Sequence, residues 1–481
     1  MEYILNGYSP KNLFAYFEEI CAIPHGSGNE KGIADYLCAF AKKNGLEYYT
    51  DESYNVLIKK KASEGYEDRP AVLLQGHTDM VCEKNADTVH DFENEGLKLY
   101  EKDGWLYADG TTLGADDGIA VAMMMAVLAE KDAAHPALEC LFTSCEETSM
   151  GGALAFDYSL LSAKSFINLD CESINSATVS CAGGVRSELT FECDPYKVNN
   201  SLIKITVKGL AGGHSGVDIN SGRANANIVM ANILGQLYQD EPFNLISING
   251  GSKVNAIPRE CECVISVFDK KQAKEKIKAY ADSIRKRLVK EDRKFSVRTE
   301  NADGAYKTMF CFKDTYRIVG TMNIIPNGVC SMSRSMEGLV ESSSNLGVVK
   351  TEGNKVTLSL MPRSSVEAKL DEIIMKLDMI AKIGGINIRH HSRHPGWEYS
   401  KTSKMRDLFA DCYKSKFGKL PEFEAVHAGV ECGIIITNMG GNMDGISIGA
   451  TVEEIHTPNE RLDLGSLTDA YEIMLEMLKK L

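Results

Sequence analysis

The stretch from Ala71 to Asp79, AVLLQGHTD, runs apolar and then stops in a glycine followed by a histidine and an aspartate. Consecutive apolar residues rich in Val and Leu predict a strand buried on both faces. The period of two along a strand puts His77 and Asp79 on the same side at its end. An imidazole there suits a borderline-soft metal, and a carboxylate two residues on can orient the ring or sit beside a metal-bound water. By itself a His-x-Asp is more often a loop hydrogen-bond pair, so the metal reading depends on what the rest of the chain adds.

The chain repeats this grammar. Gly114-Ala115-Asp116-Asp117-Gly118 leads straight into an apolar helix, which places two aspartates at a helix N-terminus. An N-cap accounts for one of them but not for two flanked by glycines, whereas a carboxylate has two oxygens with which to bridge two cations. The run ALECLFTSCEE ends on Glu146-Glu147, and SFINLDCE ends its strand on Asp170. Adjacent carboxylates repel unless something cationic lies between or beside them. Four strand ends in succession are thus expected to deliver His77 and Asp79, Asp116, Glu146 and Glu147, and Asp170 to one sheet edge, where open α/β folds bind ligands. Near the end of the chain, His456 lies in a polar loop two residues before Pro458 and supplies the second imidazole that a metal pair needs. His77 and Asp170 would then serve one ion, Glu147 and His456 the other, with Asp116 shared. Glu146 is left to carry the proton of an attacking water, an arrangement suited to amide hydrolysis.

The remaining bounds agree with such an enzyme. A chain of 481 residues is too long for one core, and 44% hydrophobic with 25% charged residues is ordinary for a globular protein. The net charge of -14 lacks the basic stripe that nucleic acid or an anionic membrane demands. The one concentrated basic segment, Lys270 to Lys294, interleaves acidic residues and reads as a solvated helix face. Fourteen cysteines without a CxxC pair read as small buried hydrophobes in a reducing compartment. With no signal-like start and no apolar run of membrane length, a cytoplasmic protein is expected.

In order, the chain opens with helices started by Ser9-Pro10 and Asn29, then two strands, and passes through a hairpin around Trp105. The composition changes at Cys181-Ala182-Gly183-Gly184, which reads as a hinge. Beyond it, a strand, a glycine-rich turn with His214, a helix and further strands form a small α+β unit with an antiparallel sheet. Residues 295 to 390 read as a second version of that unit, and from about Trp397 the first domain's style returns. The expectation is an α/β domain, residues 1–185 and 395–481, interrupted by an inserted α+β domain, residues 186–394.

The set GHTD at 76 to 79, GADDG at 114 to 118, CEE at 145 to 147, NLD at 168 to 170, GGHSG and the late His456 resembles the M20 metallopeptidases. Within them, TTLGADDGIA, CAGG, AGGHSG and HAGVECG look most like the branch of cytosolic aminoacyl-histidine dipeptidases. The resemblance implies that the first domain is a zinc-peptidase-like α/β catalytic domain with a central mixed sheet, that the inserted α+β domain is its lid, and that the catalytic domain holds two divalent metal ions, zinc first, with manganese or cobalt as alternatives. It implies that His77, Asp116, Glu147, Asp170 and His456 are the ligands, that Asp79 orients His77, and that Glu146 is the general base. It implies that His214 stabilises the oxyanion and that Asn255 and Arg363 hold the carboxylate of a small dipeptide substrate. It further implies that Gly429 shapes the substrate pocket, that Glu431 faces the substrate's amino group, and that closure of the lid gates turnover. Asp117 departs from the family, in which an asparagine is expected after the bridging acid. A homodimer is left open by the length of the lid. The competing expectation is an N-acyl-amino-acid deacylase or another M20 aminopeptidase, sharing the metals and the base.

Overall fold

The computed structural model describes residues 3–198, 201–302 and 306–481. The chain folds into two compact units, one of residues 1–180, 399–425 and 430–481, the other of residues 181–398 with 426–429.

The first unit is built on a mixed sheet of eight strands. Its middle is parallel: Val72–His77 lies between Leu138–Thr143 and Ser165–Asn168, and Asp444–Ser447 runs parallel to the last of these. Val56–Lys60 and Glu47–Thr50 extend one side antiparallel, and Ser176–Cys181 joins the other side antiparallel. Every residue of Val72–His77 and of Leu138–Thr143 is buried, the two-sided burial that continuous apolar runs require. The helix Ala115–Ala129 packs on Val72–His77 and against the helix Lys11–Cys21. From Asp117 to Leu128 all of its residues are buried, as a helix that is apolar all round must be. Gly76 makes that packing possible. A Cβ at this position would lie 2.2 Å from the Cβ of Ala120 and 2.5 Å from Oδ2 of Asp117. The hairpin around Trp105 pairs Leu99–Lys102 with Trp105–Ala108.

The second unit carries an eleven-stranded sheet whose recorded pairings are all antiparallel. The expected pair of separate α+β units is corrected here. Residues 346–360 continue the sheet begun by residues 201–267, joined where Gly250 pairs with Val349. One hydrophobic core then runs from Leu189 to Ile386. The helix Phe312–Ile324 was not expected from the sequence. Half of its inward positions are not aliphatic, Asp314, Thr315 and Thr321 standing beside Ile318, Val319 and Met322. The lysine-rich helix Lys270–Arg285 buries Ala273, Ile277, Ala281 and Ile284 along one stripe and solvates the rest, as its charge pattern requires.

The helix starts also differ from expectation. Pro10 and Glu30, not Asn29, occupy the N-cap positions of Lys11–Cys21 and Lys31–Lys43, and neither makes a side-chain cap. Asn29 donates instead to the carbonyl of Glu93 at 3.3 Å. Among the described residues no cysteine is in a disulfide, and most of the cysteines are buried. Among the described residues, no helix is long and apolar enough to cross a membrane.

Candidate active site

The sheet edge of the first unit gathers the sequence-distant acids and imidazoles. His77 ends its strand, Glu146 opens the short helix Glu146–Ser149 just beyond Leu138–Thr143, and Asp170 follows Ser165–Asn168. Asp116 comes from the start of the helix Ala115–Ala129 and not from a strand end, at a point where the backbone leaves helical values, with φ -83 and ψ 103. His456 projects from its loop in the left-handed conformation, φ 59.

Asp116 divides its two oxygens between two groups. Its Oδ1 lies 3.1 Å from Nε2 of His77, and its Oδ2 lies 3.2 Å from Nε2 of His456. Asp170 stands 3.8 Å from the first ring and Glu147 2.8 Å from the second. The ligand atoms of His77, Asp116 and Asp170 all lie within 4.8 Å of one another, and so do those of Asp116, Glu147 and His456. Each side therefore has one imidazole and one terminal carboxylate, with a shared carboxylate between, a donor set that fits two divalent cations.

The electrostatics point the same way. Burial works against a charged His77, but its hydrogen bond with Asp116 and the charges of Asp170, Asp116 and Glu146 outweigh it and hold the ring well above its ordinary value. Hydrogen bonds with Asp116 and Glu147 raise His456 to about 10. Asp116 is held well below the usual carboxylate range: its burial is overcome by hydrogen bonds from both rings. Burial, then the charge of Asp117, pushes Asp170 well up. Glu146 is raised to about 8 by burial, with the charges of Glu431, Glu147 and Asp116 adding to it against His77. Carboxylates crowded this closely are short of positive charge, which is what bound cations supply.

Asp79 does two jobs. Its main-chain carbonyl accepts from Nδ1 of His77 at 2.9 Å, which turns Nε2 of the ring towards Asp116 and Asp170. Its carboxylate, 3.6 Å from the same ring, accepts the N–H groups of Glu146 at 2.9 Å and Glu147 at 3.3 Å and the hydroxyl of Ser27 at 2.7 Å. Asp79 thus fixes both the first imidazole and the segment that bears Glu146 and Glu147. Asp117 is buried, and its Oδ2 accepts the main-chain N–H of His77 at 3.2 Å. Burial, then the charge of Asp116, pushes its carboxyl well up. Glu431 has no exposed surface. Its Oε2 accepts from Gln75 and Thr143, each at 2.6 Å, so the structure does not bring it to an open face where a substrate amine would meet it.

The second unit holds the other expected residues. A short ribbon pairs Gly213–His214 with Ala256–Ile257, and the N–H of Ser215 donates to the carbonyl of Asn255 at 2.9 Å, which sets exposed Asn255 beside His214. Nδ1 of His214 accepts the N–H groups of Gly216 and Val217 at 3.3 and 3.2 Å, so the neutral ring carries its hydrogen on Nε2. Burial, then the nearby Arg363, lowers its pKa. Arg363 is 5% exposed, is brought down to about 10 by burial, and its Nε has no hydrogen-bond partner. Two further imidazoles here escaped the sequence reading. His427 receives Ser343 Oγ at 2.7 Å on Nε2, with Nδ1 unpartnered, and His394 has Nε2 unpartnered. Burial and then the charge of Arg363 bring them to about 3 and about 4. Gly429 follows this cluster in the chain, at the end of the segment 426–429.

The model of peptidase family M20/M25/M40 matches residues 73–480. The chain belongs to this family. This M20 peptidase is 34% identical to the cytosol non-specific dipeptidase of Escherichia coli K12 over 481 residues, 99% of each chain. It is 35% identical to the crystal structure of aminoacylhistidine dipeptidase from Vibrio alginolyticus, with a TM-score of 0.90 over 99% of this chain and 98% of that one. The aminopeptidase PepT from Bacillus cereus, at 17% identity and a TM-score of 0.56 over 98% of both chains, shares the fold. The family resemblance seen in the GHTD, GADDG and CEE motifs is borne out, as is a mixed-sheet α/β fold of the M20 type.

Proposed function

We propose that this M20 peptidase hydrolyses the peptide bond of unblocked dipeptides, aminoacyl-histidines among them, in the cytosol. The observation that carries the reading is the division of Asp116, with Oδ1 towards His77 and Oδ2 towards His456. His77 and Asp170 would hold one divalent ion, Glu147 and His456 the other, with zinc as the first choice over manganese and cobalt. Bound ions would lower the pKa of a water shared between them and polarise the peptide carbonyl. Glu146, beside the ligands, takes the proton of the attacking water and returns it to the leaving nitrogen. His214 offers Nε2–H to the developing oxyanion. Arg363 is the group assigned to the substrate's carboxylate, because a buried guanidinium with an open donor is selective for a planar anion. The names of the Escherichia coli and Vibrio relatives support the dipeptide class and the cytosolic location.

The test is a substrate panel on metal-loaded enzyme, setting unblocked dipeptides, including β-alanyl-histidine, against their N-acetylated forms and their C-terminal amides. Cleavage of the unblocked acids, with a raised KM for the amides, is expected. Preference for the acetylated set would replace the reading with a deacylase.

A further inference from the structure

Glu460 lies four residues beyond His456 and is 3% exposed. Its carboxylate accepts four consecutive main-chain N–H groups at the entry to the helix Ala115–Ala129. Oε2 takes Leu113 at 2.8 Å and Gly114 at 3.2 Å, and Oε1 takes Ala115 at 2.8 Å and Asp116 at 3.4 Å. Leu113 and Gly114 precede the helix and the backbone is non-helical at Asp116 and Asp117, so these donors have no place in a regular helical ladder and take a side-chain acceptor instead. An ordinary cap is supplied by the residue next to the helix, as Asp463 does for Leu464–Lys480 by accepting from Gly465 and Ser466. Glu460 reaches instead across 344 residues of sequence to Asp116.

The other end of Glu460 is anchored in the turn that presents His456. Its N–H donates to the carbonyl of Thr457 at 3.1 Å, while the Thr457 hydroxyl donates to the carbonyl of Glu454 at 2.7 Å and accepts the N–H of Asn459 at 3.2 Å. One side chain therefore ties the main chain of the residue between the two ligand groups to the loop of the ligand that completes the second group. His456 has a left-handed backbone, and Gly114, just ahead of Asp116, does too, with φ 66. Neither segment is held by regular pairing alone.

We propose that Glu460 is a positioning residue for the metal pair: its carboxylate locks the backbone on either side of Asp116 to the turn that carries His456. The proposal rests on the dinuclear reading above. Asp116 and His456 must stand at fixed separation for one carboxylate to serve both ions, and a tether between their backbones sets that separation before any cation binds.

The experiment is calorimetric titration of metal-free protein with Zn²⁺, paired with the visible absorption spectrum of the Co²⁺-loaded form. In Glu460→Gln the amide nitrogen faces donors and forfeits the bonds that one oxygen made. The expected result is an affinity loss of about tenfold or more and an altered Co²⁺ spectrum, the scale found when groups that orient metal ligands are replaced. Asp463→Asn, which weakens a cap on the same stretch, is expected to lower Tm while leaving the Zn²⁺ isotherm and the Co²⁺ spectrum as in the parent. An isotherm for Glu460→Gln within twofold of the parent, with an unchanged spectrum, overturns the proposal whatever its Tm. If Glu460→Gln does not fold, Glu460→Asp, which keeps the charge but falls a methylene short, is judged by the same criteria. If neither folds while Asp463→Asn does, Glu460 is a folding determinant and the proposal falls. A parent that takes up no metal pair would contradict the dinuclear reading itself, a separate outcome.

Discussion

Glu146 and His427 show how one side chain's surroundings set its chemistry. The N–H of Glu146 is held by Asp79, and its carboxyl is raised to about 8 by burial and then by neighbouring acids, which sets it apart as the residue proposed to carry the proton. Glu146→Gln is expected to keep its metal content, measured by atomic absorption, while kcat falls by roughly 10²–10⁴-fold, the usual weight of a positioned proton carrier. Wild-type turnover in this variant would remove Glu146 from the role. His427 belongs to the fold's acid sensitivity. Burial and the charge of Arg363 keep it neutral down to about pH 3, so between there and the ordinary histidine range the unfolded chain binds a proton that the folded chain refuses. Stability therefore rises with pH through that window and is lost as pH falls. His427→Gln is expected to flatten the fall in Tm between pH 6.5 and about 3, a range set by the unperturbed histidine value and the lowered one. An unchanged acid limb would contradict it. At this scale the sequence disclosed the acids and imidazoles that sit in motifs. It did not disclose His394, His427 or Glu460, because each gains its environment from residues far along the chain.

The contact between the strand Val72–His77 and the helix Ala115–Ala129 is the element pair on which the site is mounted, since one ends in His77 and the other begins at Asp116. Gly76→Ala puts a methyl 2.2 Å from Ala120 and 2.5 Å from Asp117, whose carboxylate also holds the N–H of His77. Such overpacking is expected to cost about 1–3 kcal/mol in a urea titration, with the metal isotherm weakened alongside. A variant as stable as the parent would mean that the strand and helix are free to part. The strands themselves were legible, because an apolar run buried on both faces has few other readings. Helix starts were not. Glu30 stands at the N-cap of Lys31–Lys43, yet its carboxylate is spent on Gly28 and on Cys145, a residue 115 positions away. The helix Phe312–Ile324 was hidden for a related reason, its inward face being half polar and satisfied by partners such as the N–H of Leu245, which donates to Thr315.

Across the whole molecule, the proposed metal site is assembled from pieces that only folding brings together: His77, Asp116, Glu147 and Asp170 from the first 180 residues, and His456 from the last stretch of the same unit. Its legibility in sequence came from chemistry and not from local pattern, because a loop histidine acquires meaning only when a metal pair is short of one imidazole. The sheet of the second unit was less legible. Antiparallel strands with similar alternation look like repeats in sequence, whereas the pairing of Ser296–Asn301 with Ser201–Lys208 and of Gly250 with Val349 makes them one sheet. The most direct measurement is anomalous diffraction from crystals of the zinc-loaded protein. Two peaks roughly 3.5–4 Å apart are expected, one beside His77 and Asp170, the other beside Glu147 and His456, with an oxygen of Asp116 on each. A single peak, or a pair that leaves Asp116 or His456 uncoordinated, would contradict the account.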